Sequence, residues 1–406
     1  MPDHQNGQRI LTINTGSSSL KIGLYQSGAE ITRILSGELE RLGQTGGHFR
    51  IKDAHGVELI DHRDQFPDHS SALNAMLAWL RYNRPDLTFD AVGHRVVHGG
   101  MHFNEPQRVT PELIAALKGL VTLAPNHMPQ AIEAIESAVH AFPELPQLTC
   151  FDTAFHRQMP KVAQMYPLTR SLNDEGVIRY GFHGLSYEYI IQELRKVAPQ
   201  EAAGRVIIAH MGNGASMAAV RDGIGIDTTM GFTPTGGLMM GTRPGDLDPG
   251  VLLYLLADRK MTRAALNDLV NRQAGLLGIS GISEDMRDLL ERESTDLHAA
   301  DAIELYCYKA KKFVGAMTAA LGGLNTLIFT GGIGENASPV RARICKDLEF
   351  LGVELHESRN AAHAGIISSD GSQTIVRVIR TDEDLMIAKS VSRVLGMDSK
   401  AKEIKT

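Results

Sequence analysis

The chain has 406 residues, 43% of them hydrophobic and 22% charged. That balance is ordinary for globular proteins and supports sizeable cores, which excludes a disordered, collagen-like or disulfide-scaffold chain, and the length suggests two or three domains. The net charge of −6 and an aromatic content of 5% provide neither the basic field nor the stacking platforms that nucleic acid requires. The three cysteines, Cys150, Cys307 and Cys345, are far apart and form no Cys-x-x-Cys, which fits reduced thiols in a cytoplasm. Met1–Arg9 is polar with no apolar signal core, and no stretch approaches the roughly 20 apolar residues of a membrane span. The expectation is a soluble cytoplasmic protein with no membrane or nucleic-acid partner.

In chain order, Ile10–Ile13 and Leu20–Tyr25 are expected as strands around the turn Thr15-Gly16-Ser17-Ser18. Ser70–Tyr82 has Leu73, Met76, Leu77 and Leu80 at helical spacing. Ala91–Val97 is apolar and β-branched, hence a strand stopped by Gly99-Gly100. Pro129–Phe142 is expected as a helix opened by its proline, and Gln147–Asp152 as a short strand. Asp174–Gly184 is expected as loop. Arg205–Ala209 and Ser216–Val220 are strands about a Gly-rich turn. Gly231–Pro249 is a long Gly/Pro/Thr loop, of a length usually tied to function. Helices are expected over Pro249–Arg259, Thr262–Gln273, Ala299–Leu321, Ser338–Leu351 and Thr381–Leu395, with a buried strand over Asn325–Thr330.

The segments Arg9–Tyr25 and Arg205–Val220 repeat one pattern: apolar strand, polar residue, turn of Gly, Asn, Ser or Thr, second strand. Alternating strands and helices with such an echo imply two similar α/β domains that face one another, with a boundary near residue 152.

Several groups carry chemistry. Asn14–Lys21 is a Gly/Ser turn with exposed backbone N–H groups and a lysine, an anion-binding pattern distinct from a Walker A loop. His210-Met211-Gly212-Asn213-Gly214 allows backbone to approach a phosphate, though it also reads as a plain Asn-Gly hairpin turn. Phe329–Asn336 places Gly331, Gly332 and Gly334 after a buried strand, with room for a flat ligand. Arg95 within an apolar strand needs a carboxylate or phosphate partner, so a structural salt bridge and a ligand contact are both open. Arg243 lies in the Met240–Pro249 loop. His94 and His98 share a face, but the β-branched context argues against a helical zinc pair. Asp152 at a strand end suits a catalytic carboxylate or a helix cap. His183 sits among aromatics and glycines, as a core histidine also would. Glu383, in Thr381–Asp384, suits a capping box equally well.

Eight motifs in this order resemble the acetate kinase family, of the superfamily that includes sugar kinases, actin and the large heat-shock chaperones: Asn14–Lys21, Gly93–Gly100, Phe151–His156, Tyr180–Gly184, His210–Gly214, Met240–Pro249, Gly331–Asn336 and Thr381–Asp384. The resemblance runs from about Arg9 to about Leu395. It implies an α/β fold of two domains with duplicated ribonuclease-H-like (actin-like) cores and an interdomain cleft. It places 1–152 plus 385–406 in one domain and 153–384 in a nucleotide-binding domain. It implies Asn14 and Glu383 at Mg²⁺, with Mn²⁺ as another candidate. It implies ATP or ADP at Lys21, His210, Met211, Gly212, Asn213, Gly214, Asp285, Met286, Arg287, Gly332, Ile333, Gly334, Glu335 and Asn336. Arg95 would bind the acceptor carboxylate, and Asp152, His183 and Arg243 would be catalytic. Val97, Phe182 and Pro234 would line a small apolar acyl pocket. A homodimer is implied by the same likeness.

The implied reaction is reversible phosphoryl transfer from MgATP to acetate, giving acetyl phosphate and ADP. A propionate or butyrate kinase of the same family is the alternative, and a non-kinase ATPase the more distant one. The chain departs from the family pattern at Asn126, where Leu-Ala-Pro-Leu-His is Leu123-Ala124-Pro125-Asn126-His127. It departs again at Leu185 and Tyr187, where His-Gly-Thr-Ser-His is His183-Gly184-Leu185-Ser186-Tyr187, and at Pro244 in Thr242-Arg243-Pro244-Gly245-Asp246. Pro244 is expected to stiffen the loop that aims Arg243.

Overall fold

The two apolar runs around Gly16 pair as an antiparallel hairpin, β1 (Arg9–Thr15) and β2 (Ser19–Gln26), in a register that sets Asn14 opposite Lys21. This is a computed structural model, and it describes residues 7–16, 19–43 and 46–397. Ser17 and Ser18 of the first turn, and Met1–Asn6 of the polar N-terminus, lie outside the described residues. Contacts divide the chain into two units, 1–154 with 382–406, and 155–381.

In the first unit β3 (Thr32–Glu40), β4 (Gly47–Asp53) and β5 (Glu58–Asp64) extend the hairpin antiparallel. On the other side of β1 lies β6 (Ala91–Val96), parallel to it. The two-residue β7 (Gln107–Arg108) then edges β8 (Gln147–Phe151), which runs parallel to β6. The order is β5-β4-β3-β2-β1-β6-β8-β7. The helix His69–Asn83 presents Leu73, Met76, Leu77 and Leu80 to Leu20, Ile22 and Leu24. Each such fully buried side chain contributes roughly 1.5–3 kcal/mol.

In the second unit β9 (Arg205–Met211) and β10 (Ala215–Arg221) form the matching hairpin, with His210 opposite Ser216. β11 (Ile224–Thr228) adds antiparallel to β10. β12 (Thr326–Thr330) is parallel to β9, and β13 (Ile375–Val378) is parallel to β12. The order β11-β10-β9-β12-β13 repeats β3-β2-β1-β6-β8 strand for strand and direction for direction. The duplication expected from the hairpin echo, which the resemblance makes an actin-like core, is therefore present, with β4, β5 and β7 added to the first copy.

The helices that follow the two parallel edges exchange places. Helix Gly184–Val197 comes after β8 but packs Tyr187, Ile190, Ile191 and Leu194 on Val206 and Ile208 of the second sheet. Helix Glu383–Leu395 comes after β13 but packs on β1 and β6 of the first. Asp382, Glu383 and Asp384 accordingly go with the first unit.

Four local expectations need correction. The segment 32–64, for which no element was expected, forms three strands, and Gly184–Val197 is a helix although its apolar residues at 187, 190, 191 and 194 already had helical spacing. The helix Ser338–Leu351 ends at Cys345, because Asp347 takes a left-handed φ of 61° before a short 3-10 turn. Helix 262–273 changes at Leu269–Gln273 into a π-helical turn.

Gly93 of β6 lies directly under the last helix: a Cβ there would sit 2.5 Å from Ile387 Cγ2 and 2.7 Å from Val391 Cγ2. Gly93→Ala should therefore lower unfolding free energy by about 1–3 kcal/mol through overpacking. An unchanged denaturation midpoint would show that the helix can lift from the strand without loss.

Candidate active site

The first unit gathers its charges where parallel strands end, the usual ligand edge of such sheets. Asn14 is near the end of β1, Arg95 on β6, and Asp152 just past β8. Arg95 donates from Nε to Asp152 Oδ1 and Oδ2 at 3.0 and 3.1 Å, and from Nη2 to Oδ2 at 2.7 Å. Its Nη1 reaches Asn14 Oδ1 at 3.0 Å and Glu383 Oε2 at 3.1 Å. A guanidinium carries five N–H groups, so this cluster leaves about one for a ligand. Burial disfavours the Arg95 charge, but Asp152 and Glu383 outweigh it and hold its pKa above the ordinary value. The salt bridge that the sequence left open is thus formed.

The capping question at Glu383 has a clear answer. Asp382 is the N-cap, accepting from Leu385 N at 2.9 Å and pairing with Arg33. Glu383 is the first helical residue, and its carboxylate goes to Arg95. Asp384 accepts from Asn14 Nδ2 at 3.1 Å; burial lifts its pKa to about 6 against that hydrogen bond. Lys21 pairs with Glu38 at 3.0 Å, and this partner raises its pKa despite burial.

Among the described residues no group of three or more His, Cys, Asp or Glu side chains forms a metal cage. Asn14, Glu383 and Asp384 nevertheless offer a carbonyl and two carboxylates, the partial set of hard oxygens that suits Mg²⁺ when phosphate and water complete its shell. The donor set fits such an ion. His94 turns to Gln147 Oε1 at 2.8 Å, and His98 Nδ1 accepts from Gly100 N at 2.9 Å, so the pair does not converge on a zinc site.

The second unit carries the other charged group. His183 is the N-cap residue of its helix, in a left-handed conformation with φ 59°. Its ring stacks on His210 with centroids 4.3 Å apart, and its Nδ1 lies 2.9 Å from Ser216 Oγ. His210 Nδ1 meets Ser186 Oγ at 2.8 Å, which meets Thr381 Oγ1 at 2.8 Å. A Cβ placed on Gly214 would be 2.7 Å from Arg243 Nη2 and 3.3 Å from His183 Nε2. The glycine turn, Arg243 and His183 are therefore in one place.

Arg243 donates from Nη1 to Pro234 O at 2.6 Å. It makes no ion pair among the described residues, and burial alone pushes its pKa down to about 10. The long loop that carries it is pinned: Gly237 N donates to Asp246 Oδ1 at 2.7 Å, Asp246 N to Gly237 O at 2.9 Å, and Gly241 N to Asn213 O at 3.0 Å. Leu238, Met239 and Met240 are buried.

Beside this turn opens a cavity of about 520 Å³, well within the range of ligand pockets. Gly212, Asn213, Asp285, Met286, Arg287, Gly332, Ile333 and Asn336 line it, together with Glu284, Leu290, Ala337 and Pro339. Apolar side chains from three helices, with glycine backbone, line it and suit a flat ring. The remaining candidates do not line it. Met211 is wholly buried; Gly334 packs on Phe329 and Met211; Lys21 belongs to the first unit; and His210 serves the His183 stack. Glu335 is spoken for, since its Oε1 accepts from Gly331 N at 2.9 Å and Thr381 N at 3.1 Å. Of the acyl-pocket candidates, Val97 is on the first unit, and Phe182 and Pro234 on the second. Asn126 is half-buried in the turn before Met128–Ala141 and forms no hydrogen bond to another described residue. Sequence reasoning missed Ser216 as a site residue; its place opposite His210, equivalent to Lys21 opposite Asn14, was the available signal.

This pairing of an anion-seeking arginine and histidine with a glycine-lined cavity belongs to phosphotransferases. A family model described as the Acetokinase family matches residues 9–389, and the chain belongs to that family, whose enzymes use a carboxyl group as acceptor. The chain is 48% identical to the acetate kinase of Rhodopseudomonas palustris (strain ATCC BAA-98 / CGA009) over 392 residues, 95% of this chain and 98% of that one. Its structure is similar to that of Porphyromonas gingivalis acetate kinase, with TM-score 0.84, 36% identity and coverage of 96% and 100%. It is also similar to a propionate kinase from Francisella tularensis subsp. tularensis SCHU S4, with TM-score 0.86, 34% identity and coverage of 94% and 98%.

Two neighbouring glycines separate fold from binding. Gly331 has φ 76°, and a Cβ there would meet Met211 O at 2.8 Å, whereas a Cβ on Gly332 would meet nothing within 4 Å. Gly331→Ala should cost about 1–3 kcal/mol of stability. Gly332→Ala should keep or raise the melting temperature while weakening ATP binding. Equal ATP affinity in wild type and Gly332→Ala, by fluorescence titration, would remove this strand end from the nucleotide site.

Proposed function

We propose that the protein is an acetate kinase, passing the γ-phosphoryl of ATP reversibly to acetate to give acetyl phosphate and ADP. The observation that carries this reading is Arg243: a desolvated cation with no ion partner among the described residues, set against His183 and the Gly214 turn, in which Gly212 and Asn213 line the cavity. Charge on the equatorial oxygens of a transferring phosphoryl group would meet Arg243 and the His183 ring, both held before the substrate arrives. Lys21, on the first unit, is a further cation that the family resemblance implies at ATP. Arg95 offers its remaining N–H to the acceptor carboxylate, and Asp152 keeps that guanidinium oriented. A divalent cation, with Mg²⁺ favoured over Mn²⁺, would neutralise phosphate charge when held by Asn14, Glu383 and Asp384. An acetate oxygen forms the new bond to phosphorus, and the leaving electron pair stays on ADP.

Val97, Phe182 and Pro234 are the apolar side chains that the family resemblance implies at the acyl group. The family resemblance puts Asn126 at a pocket wall; its amide forms no hydrogen bond to another described residue, and an unpaired amide buried against a longer acyl chain would cost about 1–3 kcal/mol. Acetate is proposed as the acceptor, with propionate as the alternative, since a propionate kinase has a similar structure. A hydroxamate assay over formate, acetate, propionate and butyrate tests this directly. Acetate should dominate, and Arg243→Ala should lower kcat by about 10²–10⁴ with a smaller change in ATP KM. Lysine at 243 should rescue poorly, since the planar fork is lost. Carboxylate-independent ADP release would point instead to an ATPase, and a near-normal kcat would take Arg243 out of the reaction.

The finer assembly is proposed as a homodimer. The helix Pro249–Ala257 buries no residue of its own, and Val251, Leu253, Tyr254 and Leu256 stand exposed on it. An apolar helix so placed marks an interaction face, and a second copy supplies an equally apolar one. Leu253→Asp with Tyr254→Asp should yield monomers by sedimentation. A dimer that survives this double change lies elsewhere.

A further inference from the structure

The hydroxyl of Tyr187 stands where the family pattern has a histidine, and it is wholly buried. Its ring is held edge-on by His156 at 5.4 Å and tilted against Phe155 at 5.8 Å. Ser216 Oγ is the one hydrogen-bond partner of the Tyr187 hydroxyl among the described residues. Ser216 is also wholly buried, and its Oγ has one other partner among them, His183 Nδ1 at 2.9 Å. These contacts form a line from Tyr187 through Ser216 to His183, ending at the face beside Arg243.

We propose that Tyr187 is a positioning residue that sets the tautomer of His183 through the Ser216 hydroxyl. The proposal rests on the reading of His183 as a group that contacts the transferring phosphoryl. Burial raises the phenol pKa, so Tyr187 keeps its proton and must place it. The one acceptor available is Ser216 Oγ. That hydroxyl has a single hydrogen, and with the phenol donating to its oxygen, the acceptor left for that hydrogen is His183 Nδ1. A neutral His183 is thereby left with its proton on Nε2, the nitrogen that faces Gly214 and Arg243. The ring cannot easily turn away, because it is stacked on His210, itself tied to Ser186.

The consequence is a matter of sign. With the proton on Nε2, His183 aims an N–H at the place where phosphoryl oxygens would lie, in line with the Arg243 donors. With the proton on Nδ1, it would aim a lone pair at the same oxygens and repel them. Without Tyr187 the Ser216 hydrogen can rotate away, and Ser216 can as well accept from Nδ1–H, so both tautomers become accessible.

Isotope-labelled histidine NMR and steady-state kinetics on the full chain test this. Wild type should show His183 protonated at Nε2 and unprotonated at Nδ1. Tyr187→Phe, which keeps the ring packing, should show a mixture or the reverse, with kcat down about five- to tenfold, the worth of one hydrogen bond, and KM for ATP and acetate nearly unchanged. Ser216→Ala should lose at least as much, and should serve alone if the phenylalanine variant folds poorly. The double variant should be no worse than Ser216→Ala, because both residues act on one line. A proton on Nδ1 in wild type, an unchanged tautomer in both single variants, or additive losses in the double variant would overturn the proposal. Absence of carboxylate-dependent phosphoryl transfer in wild type would instead overturn the kinase reading, while the tautomer measurement would still judge the Tyr187 line.

Discussion

A guanidinium in a protein interior needs partners for its charge and its N–H groups, and Arg95 finds them in Asp152, Asn14 and Glu383. The Arg95–Asp152 pair sits where two parallel strands end, so its geometry is set by sheet register rather than by flexible loops. Once Asp152 holds Nε and Nη2, the remaining Nη1 is aimed at Asn14 and Glu383. Removing either partner of such a pair strands a buried charge, at about 3–5 kcal/mol. The oxygen donors suited to a cation are therefore anchored on the buried Arg95–Asp152 pair.

Arg243 is the opposite case. Its loop supplies a carbonyl from Pro234 and no carboxylate among the described residues. The desolvation penalty is left standing, offset by the fixed turns around Gly237, Asp246 and Gly241. One unit thus spends its charge on internal order, while the other keeps a charge in reserve. In the proposed reaction a multiply charged phosphoryl group would relieve the second.

The hairpins were legible because an apolar strand, a polar residue and a small-residue turn leave few alternatives, and their repetition gave the duplicated fold. Ser70–Tyr82 was legible from its 3.6-residue period. The strands over 32–64 were not, because they carry charge on the open face, where Lys21, Glu38 and Arg50 pair across neighbouring strands, and β5 is exposed almost throughout. The break at Asp347 depends on a single left-handed residue that no local pattern announces. At the site, residue types pointed to charge and backbone approach but not to partners. Whether Arg95 is bound inward, whether Asp382 or Glu383 caps the helix, and what Tyr187 touches all depend on side chains far away in sequence.

The exchange of helices has a consequence for how the chain is made. The helix that covers β1 and β6 is Glu383–Leu395, at the far end of the chain from the strands it protects. During synthesis the first 154 residues emerge with that face of their sheet bare, and Gly93 waits for Ile387 and Val391. At about 5–20 residues per second the delay is roughly 10–50 s. Through that interval the nascent first unit lacks the helix that covers this face of its sheet in the finished fold. A ribosome stalled anywhere in the second unit therefore holds a species with an open hydrophobic face, and the completion of folding is timed by the last helix.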